Sequence, residues 1–248
     1  MTHYQRSIVS YLDLLGFRAI IAANREPAWI ADFLRLFTRA STKMRVIDLF
    51  RLSPSNPGGP LPTRAKTFSD LAVRVTPVPA EASVGFLVYD EAECVSWLQG
   101  QLVYKGVLLR GYVTVGDIYL DENVVFGPAL VRAYELESEL ARFPRVIIDP
   151  VLYEDILRES AGSTSRTGSL GIHAVDGMLK FDADGMRFID YFSRIIMHDL
   201  RHGDLAFAEA HRDLTAIGLK DTLEAASTLA KYKWVPRRLD CIVRKRLL

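Results

Sequence analysis

Two apolar runs in this chain each deliver a carboxylate at a strand-like end. Ser7 to Phe17 reads Ser-Ile-Val-Ser-Tyr-Leu-Asp-Leu-Leu-Gly-Phe and carries Asp13, and Lys66-Thr-Phe-Ser-Asp ends on Asp70. A carboxylate in such a run is costly to bury alone, because it needs a cation, a metal or hydrogen bonds to stay ionised. An N-cap or a surface turn is the plainer role for either residue taken singly. If the two strands are neighbours, at roughly 4.8 Å spacing, the pair can flank one cation or two. Oxygen-only ligands select a hard ion, Mg²⁺ or Mn²⁺, and such ions in enzymes usually carry substrate phosphates. Gly16 permits a tight turn into a helix whose first amides, those of Gly16 and Phe17, suit a polyphosphate. This is the residue chemistry of phosphoryl transfer.

The elements that must position these residues follow from periodicity. After Phe17, the apolar positions Trp29, Ile30, Phe33, Leu34, Phe37, Met44 and Ile47 recur at threes and fours and predict a helix with Pro27 in its first turn. Ser53 to Pro60 is a breaker cluster, and residues 64 to 76 predict one hairpin arm or two short strands around Asp70. Ala80 to Gln99 predicts a second helix. Val107 to Val115 predicts a strand, Asp117 to Phe126 a hairpin, Ala129 to Arg142 a helix, and Phe143 to Asp149 a short buried strand. The order strand, helix, strand, strand, helix, strand is that of an α+β chain with a ferredoxin-like βαββαβ core. Gly162 to Gly171 is expected to be a mobile Ser/Thr/Gly-rich segment, 172 to 192 further strands turning at Asp182 to Gly185, and Leu205 to Trp234 a long helix closed by Pro236.

Composition narrows the function. Lys and Arg number 31 against 30 Asp and Glu over 248 residues, so no basic footprint for nucleic acid is visible. Cys94 and Cys241 have neither paired spacing nor a neighbouring His pattern, which suits a reduced, cytoplasmic setting. No uncharged run is long enough to span a bilayer, and Arg6 and Asp13 interrupt the early apolar stretch that a signal peptide would need. His198 and His202 could share a helix face, but a third ligand is not evident.

The motifs resemble those of the class III nucleotidyl cyclases across roughly residues 7 to 195. In that family a first metal Asp is followed by Gly-Phe, and a second is preceded at minus four by a base-reading Lys. Asp13, Gly16, Phe17, Lys66 and Asp70 fit. Leu109-Arg-Gly-Tyr-Val-Thr-Val-Gly116 looks like the family's central strand, and Phe126-Gly127 like its Trp-Gly. The resemblance implies that Asp13, the Leu14 carbonyl and Asp70 hold two divalent cations, Mn²⁺ or Mg²⁺, on a nucleoside triphosphate. It implies substrate contacts from Gly16, Phe17 and Lys66, and a homodimer with its sites at the interface. It also implies a catalytic domain over 1–195 with a dimerisation arm, extended by helix over 196–248.

The departures from the family are informative. Val124 stands where purine cyclases place the partner of the base-reading Lys, and it can neither donate nor accept a hydrogen bond. Val131 and Glu135 stand where those enzymes carry an Asn and an Arg that act on the ribose and on developing charge. A replacement cation is therefore expected among Arg110, Arg132 and Arg145, with Arg110 preferred for its place on the central strand. Phe126 to Glu137, Phe143 to Asp149 and Lys231 to Trp234 are similar to the pyrimidine cyclases of the Pycsar antiphage systems. That resemblance implies cyclic UMP, with cyclic CMP second, as a messenger for a separate effector protein. A catalytically silent nucleotide-binding dimer and a palm-type nucleotidyltransferase are the rival readings.

Overall fold

Strand β1 (Gln5–Leu15) is buried on both faces along Ser7 to Ser10, and the rest of the sheet is built around it. The computed structural model describes residues 3–22, 26–43, 63–80, 82–162, 166–192, 206–221 and 233–238. Two helices follow β1, α1 (Phe17–Ala22) and α2 (Pro27–Lys43), with Pro27 opening the second as the sequence predicts. Residues 64 to 77 form a hairpin of β2 (Arg64–Phe68) and β3 (Leu71–Pro77), joined through Ser69 and Asp70, with Ser69 at φ 55°. Helix α3 (Val84–Tyr104) then crosses to β4 (Leu108–Leu120). The sheet order β2-β3-β1-β4, antiparallel at every step, is the 4-1-3-2 arrangement of a ferredoxin-like βαββαβ core. The fold class expected from sequence is the one observed.

The core continues past β4. A short hairpin partner β5 (Val125–Phe126) leads into α4 (Pro128–Leu140), and β6 (Val146–Ile148) returns parallel to β4. Helices α5 (Pro150–Gly162) and α6 (Arg166–Asp176) precede a terminal hairpin of β7 (Leu179–Phe181) and β8 (Arg187–Ile189), and β8 pairs with β6 through Ile147 and Phe188. Helix α7 (Ala206–Asp221) follows. Helix α3 covers one face of the sheet over Ile8, Leu12, Leu109 and Val113, while α4 lays Ala129 and Ala133 on the other, over Val9 and Ile118. The start of α3 is closed by Ser83, whose Oγ accepts the Phe86 N–H, and by Glu159 of α5, which accepts the N–H of Val84 at 2.8 Å.

The structure departs from the sequence reading in several places. Residues 166 to 176 are helix rather than a mobile loop or strands: Ile172 and Val175, three apart and so on one helix face, join the main core. Pro150 to Gly162, which drew no element from the sequence, is a helix whose Leu152, Tyr153 and Ile156 face inward. The β7–β8 hairpin turns at Asp182 to Gly185 as the sequence predicts and lies in the main sheet, beside β6. Pro236 sits within a helical turn over 233–238 rather than after one, and 222–232 lies outside the described residues, as do Met44, Ile47, Ser53 to Pro60, His198 and His202.

Gly111, the glycine of the Leu-Arg-Gly run, has a local reason to be one. A Cβ there would stand 2.4 Å from the Tyr11 carbonyl oxygen and 2.8 Å from a Leu12 methyl, across the β1–β4 pair. Gly111→Ala is expected to cost roughly 1–3 kcal/mol by overpacking. In a chain of this size that lowers the unfolding temperature by about 2–4 °C per kcal/mol in a thermal melt. An unchanged melt would show that the two strands can part without loss.

Candidate active site

Register brings the predicted residues to one end of the four-stranded core. On β1, Asp13 pairs with Leu71 of β3 on one side and Arg110 of β4 on the other. The N–H of Leu14 donates to the Asp70 carbonyl at 2.8 Å, so the two acidic positions sit on adjoining chain segments. Asp13 lies on the α4 face with Tyr11, Arg110 and Tyr112, because residues two apart on a strand share a face. Both carboxylates act on the same phenol. Burial first, then the charges of Glu137, Asp13, Tyr134 and Asp70, push the Tyr11 hydroxyl up to about 12.

Arg110 stands between two carboxylates from different elements. Its Nε–H donates to Asp13 Oδ2 at 2.6 Å, and the same nitrogen lies 2.8 Å from Oε1 of Glu137 on α4. One Nη1 donates to the Ala141 carbonyl at 3.3 Å, beyond the helix end. The side chains of Asp13 and Arg110 are 19% and 22% exposed, whereas Glu137 is only 4% exposed. Three acidic groups, Asp13, Asp70 and Glu137, thus bear on a half-buried region with one guanidinium among them.

Gly16, at φ 84°, turns the chain from β1 into α1, and its carbonyl accepts the Ile20 N–H at 3.2 Å. Phe17 puts its ring into the core, leaving the amide as the part relevant to a ligand. Lys66 shares the Asp13 face but lies one row back, opposite Val73, two strands away from Asp13. It stands toward the β4–β5 turn. Backbone N–H groups of Val124 and Asn123 chiefly hold the Asp121 carboxyl below the usual range, and the charge of Lys66 adds to this.

A cleft of about 490 Å³ opens beside this cluster, between the β2–β3 hairpin and α4. Tyr11, Phe68, Val73, Val124, Val131 and Tyr134 line it, with Asn123 at the rim. Val124 and Val131, the two positions that depart from purine cyclases, therefore line one apolar wall. Sequence reasoning missed Tyr11, Phe68, Tyr134 and Glu137. For Tyr11 the signal was present, two residues before Asp13 on one strand face; Glu137 needed the packing of α4 on β4.

The other two candidate cations are placed elsewhere. Arg145 is fully buried and paired with Asp182 and Asp184 of the β7–β8 turn, so it is taken out of the cluster. Arg132 makes a fork with Asp149, at 2.6 and 2.9 Å, with its side chain 44% exposed. Burial would raise the Asp149 carboxyl, but the bonds from Arg132, Thr114 and the Val151 N–H hold it below the usual range.

The donor set fits a hard divalent cation. Among the described residues no three His, Cys, Asp or Glu converge on one point, so a metal here would draw on two carboxylates and a main-chain carbonyl. Mg²⁺ and Mn²⁺ commonly bind in that sparse way and complete their shells with water and substrate phosphate. The excess of negative charge around Asp13 and Asp70 suits such an ion.

No family model and no curated protein matches the chain. Among solved structures, it is similar to the adenylyl cyclase CyaB from P. aeruginosa at 15% identity, over 62% of this chain and 82% of that one, with a TM-score of 0.41. It is similar to the monomeric guanylyl cyclase domain of the RhoGC fusion protein from Blastocladiella emersonii at 12% identity, over 76% and 96%, with a TM-score of 0.43. A rhodopsin-guanylyl cyclase catalytic core of converted specificity, in complex with ATPαS, matches at 14% identity over 64% and 84%, with a TM-score of 0.40. These likenesses are weak, and the strand order above rests on the chain's own pairing. No helix among the described residues is long and apolar enough to cross a membrane.

Proposed function

We propose that this chain is a nucleotide cyclase of the class III type, converting a pyrimidine nucleoside triphosphate, UTP in preference to CTP, into the 3′,5′-cyclic monophosphate and pyrophosphate. The observation that carries the reading is the Leu14 N–H to Asp70 carbonyl bond, which sets Asp70 on the chain segment adjoining Asp13, with Tyr11 and Leu71 of the same two segments lining the apolar cleft. Asp13, Asp70 and the Leu14 carbonyl are the ligands for two divalent ions, Mn²⁺ or Mg²⁺. When bound, such ions neutralise phosphate charge and lower the pKa of the attacking hydroxyl.

The chain's own residues supply the rest. The Gly16 and Phe17 amides, three and four residues after Asp13, bind the β- and γ-phosphates. The base enters the cleft lined by Tyr11, Phe68 and Tyr134, whose rings and apolar neighbours exclude water. Lys66, which lines a separate cleft with Asp121 and Glu122, is the base contact in this reading. The O3′–Pα bond forms as the bond from Pα to the pyrophosphate oxygen breaks, with the 3′-hydroxyl proton released. Arg110 stabilises the charge that builds on the phosphates, the task for which Val131 and Glu135 lack the chemistry.

Phe68, Val124, Val131 and Tyr134 are exposed along the cleft, and a contiguous apolar rim of this kind is what a partner surface covers. In this reading a second copy of the chain covers it, and the two sites lie between the subunits. The product is a diffusible messenger read by a separate effector in antiphage defence.

The test is direct. Purified protein with Mn²⁺ is given each of the four nucleoside triphosphates in turn, and products are resolved by mass. Cyclic UMP, and less of it from an Asp70→Ala variant, is the expected result. Cyclic CMP alone would reverse the base preference. No cyclic product from any nucleotide would favour a silent binding module, the reading to which exposed Val131 and Glu135 lend weight.

A further inference from the structure

The geometry points to Glu137 as a positioning residue that provides a second seat for Arg110, so that a divalent cation can take Asp13. This rests on the reading above that Asp13 is a metal ligand. An Arg Nε carries one hydrogen, and here it is donated to Asp13 Oδ2 at 2.6 Å while Glu137 Oε1 waits 2.8 Å from the same nitrogen. The guanidinium cannot donate that hydrogen to both carboxylates at once. As it stands, Arg110 holds one oxygen of the carboxylate and would compete with a metal for its charge.

Two features let Arg110 yield without leaving. Its Nη1 is tied to the Ala141 carbonyl, which does not involve Asp13, and Glu137 lies one turn earlier on the same helix as that carbonyl. A small rotation of the guanidinium then transfers the Nε–H from Asp13 to Glu137 while the Nη1 contact holds. Glu137 is almost fully buried, so its charge has little water around it and is favoured by the nearby guanidinium. A metal on Asp13 and an arginine on Glu137 satisfy all three charged groups. With Glu137 neutral, Arg110 has one charged partner left and competes for Asp13 without an alternative.

The seat is separable from a simple through-space field. Mn²⁺ alone is titrated into wild type, Glu137→Gln, Arg110→Gln and the double variant, and free Mn²⁺ is read by electron paramagnetic resonance. Glu137→Gln is expected to weaken Mn²⁺ binding about tenfold, the low end for residues that support a metal ligand. In the Arg110→Gln background the same change should alter affinity by less than about twofold, because no guanidinium remains to be seated. An equal loss in both backgrounds would make Glu137 a mere negative charge near the metal and overturn the proposal. Asp13→Asn serves as the control on the underlying reading. If wild type binds no Mn²⁺ that Asp13→Asn abolishes, both fall; if it does and the cycle shows no coupling, only the seat falls. Should Arg110→Gln not fold, the Arg110 Nε–H signal in ¹⁵N-labelled protein decides the matter. It should move on adding Mg²⁺ to wild type and stay still in Glu137→Gln, and a static signal in wild type would overturn the seat.

Discussion

Asp13→Asn is expected to reduce cyclic nucleotide formation by a factor on the order of 10²–10³ in kcat, the range for deleting one preorganised electrostatic partner of the transition state. Asparagine keeps the size and one oxygen of the aspartate but not its charge, so the strand pairing with Leu71 and Arg110 need not change. Arg110 retains its contacts with Glu137 and the Ala141 carbonyl. The thermal melt should therefore shift little while activity falls. Rate measurement at saturating UTP and Mn²⁺, beside a melt of the same sample, checks both parts. Retained activity in a folded variant would remove Asp13 from the mechanism, and with it the metal reading.

The largest effect on stability belongs to a different site. Arg74 on β3 is buried and donates to Glu91 of α3 through Nε at 2.7 Å and Nη2 at 2.8 Å, while Nη1 donates to the Phe37 carbonyl of α2 at 3.1 Å. Ser10 of β1 donates to the same carboxylate at 2.8 Å. One ion pair thus ties two helices to two central strands on the sheet face opposite Asp13. Arg74→Met removes the cation and leaves Glu91 charged in the core, a change that costs about 3–5 kcal/mol when a buried pair loses one partner. Arg74→Met with Glu91→Leu should recover much of that, because no unpaired charge remains. Urea unfolding of the three proteins is the measurement, and a loss under about 1 kcal/mol in the single variant would show that the pair is not holding the helices.

The same pair predicts a pH dependence. Burial would raise the Glu91 carboxyl, but the charge and hydrogen bonds of Arg74, with Ser10, bring it below its ordinary value. A depressed folded-state pKa stabilises the fold above the unfolded pKa, and that contribution is lost as pH falls through the folded one. Wild type should lose stability on acidification for this reason. In Arg74→Met burial is opposed only by the Ser10 hydrogen bond and no longer by the cation, so Glu91 takes up its proton more readily and the variant recovers as pH falls. The stability gap between the two proteins should narrow from pH 7 toward pH 4, and a constant gap would contradict the assignment.

Much of this architecture was legible before any coordinates. The apolar run of β1, the breaker cluster before β2, and Pro27 at a helix start are local signals, and each marked an element that the structure contains. Helix α6 was lost for a local reason too: Ser, Thr and Gly near 162–171 suggest a loop, and its helicity comes from packing. A Cβ on Gly85 of α3 would lie 3.1 Å from the backbone of Gly171, an approach that only small residues on both helices allow.

The sequence by itself determined the elements of the βαββαβ core and the placing of Asp13 and Asp70 near strand ends, because side-chain periodicity and turn chemistry act over a few residues. The tertiary structure alone decided which cation each acid meets. Arg145 went to Asp182 and Asp184, Arg132 to Asp149, and Arg110 to Asp13 across 97 residues of chain. Such pairings depend on strand register and on which helix face packs where, and no local pattern encodes them.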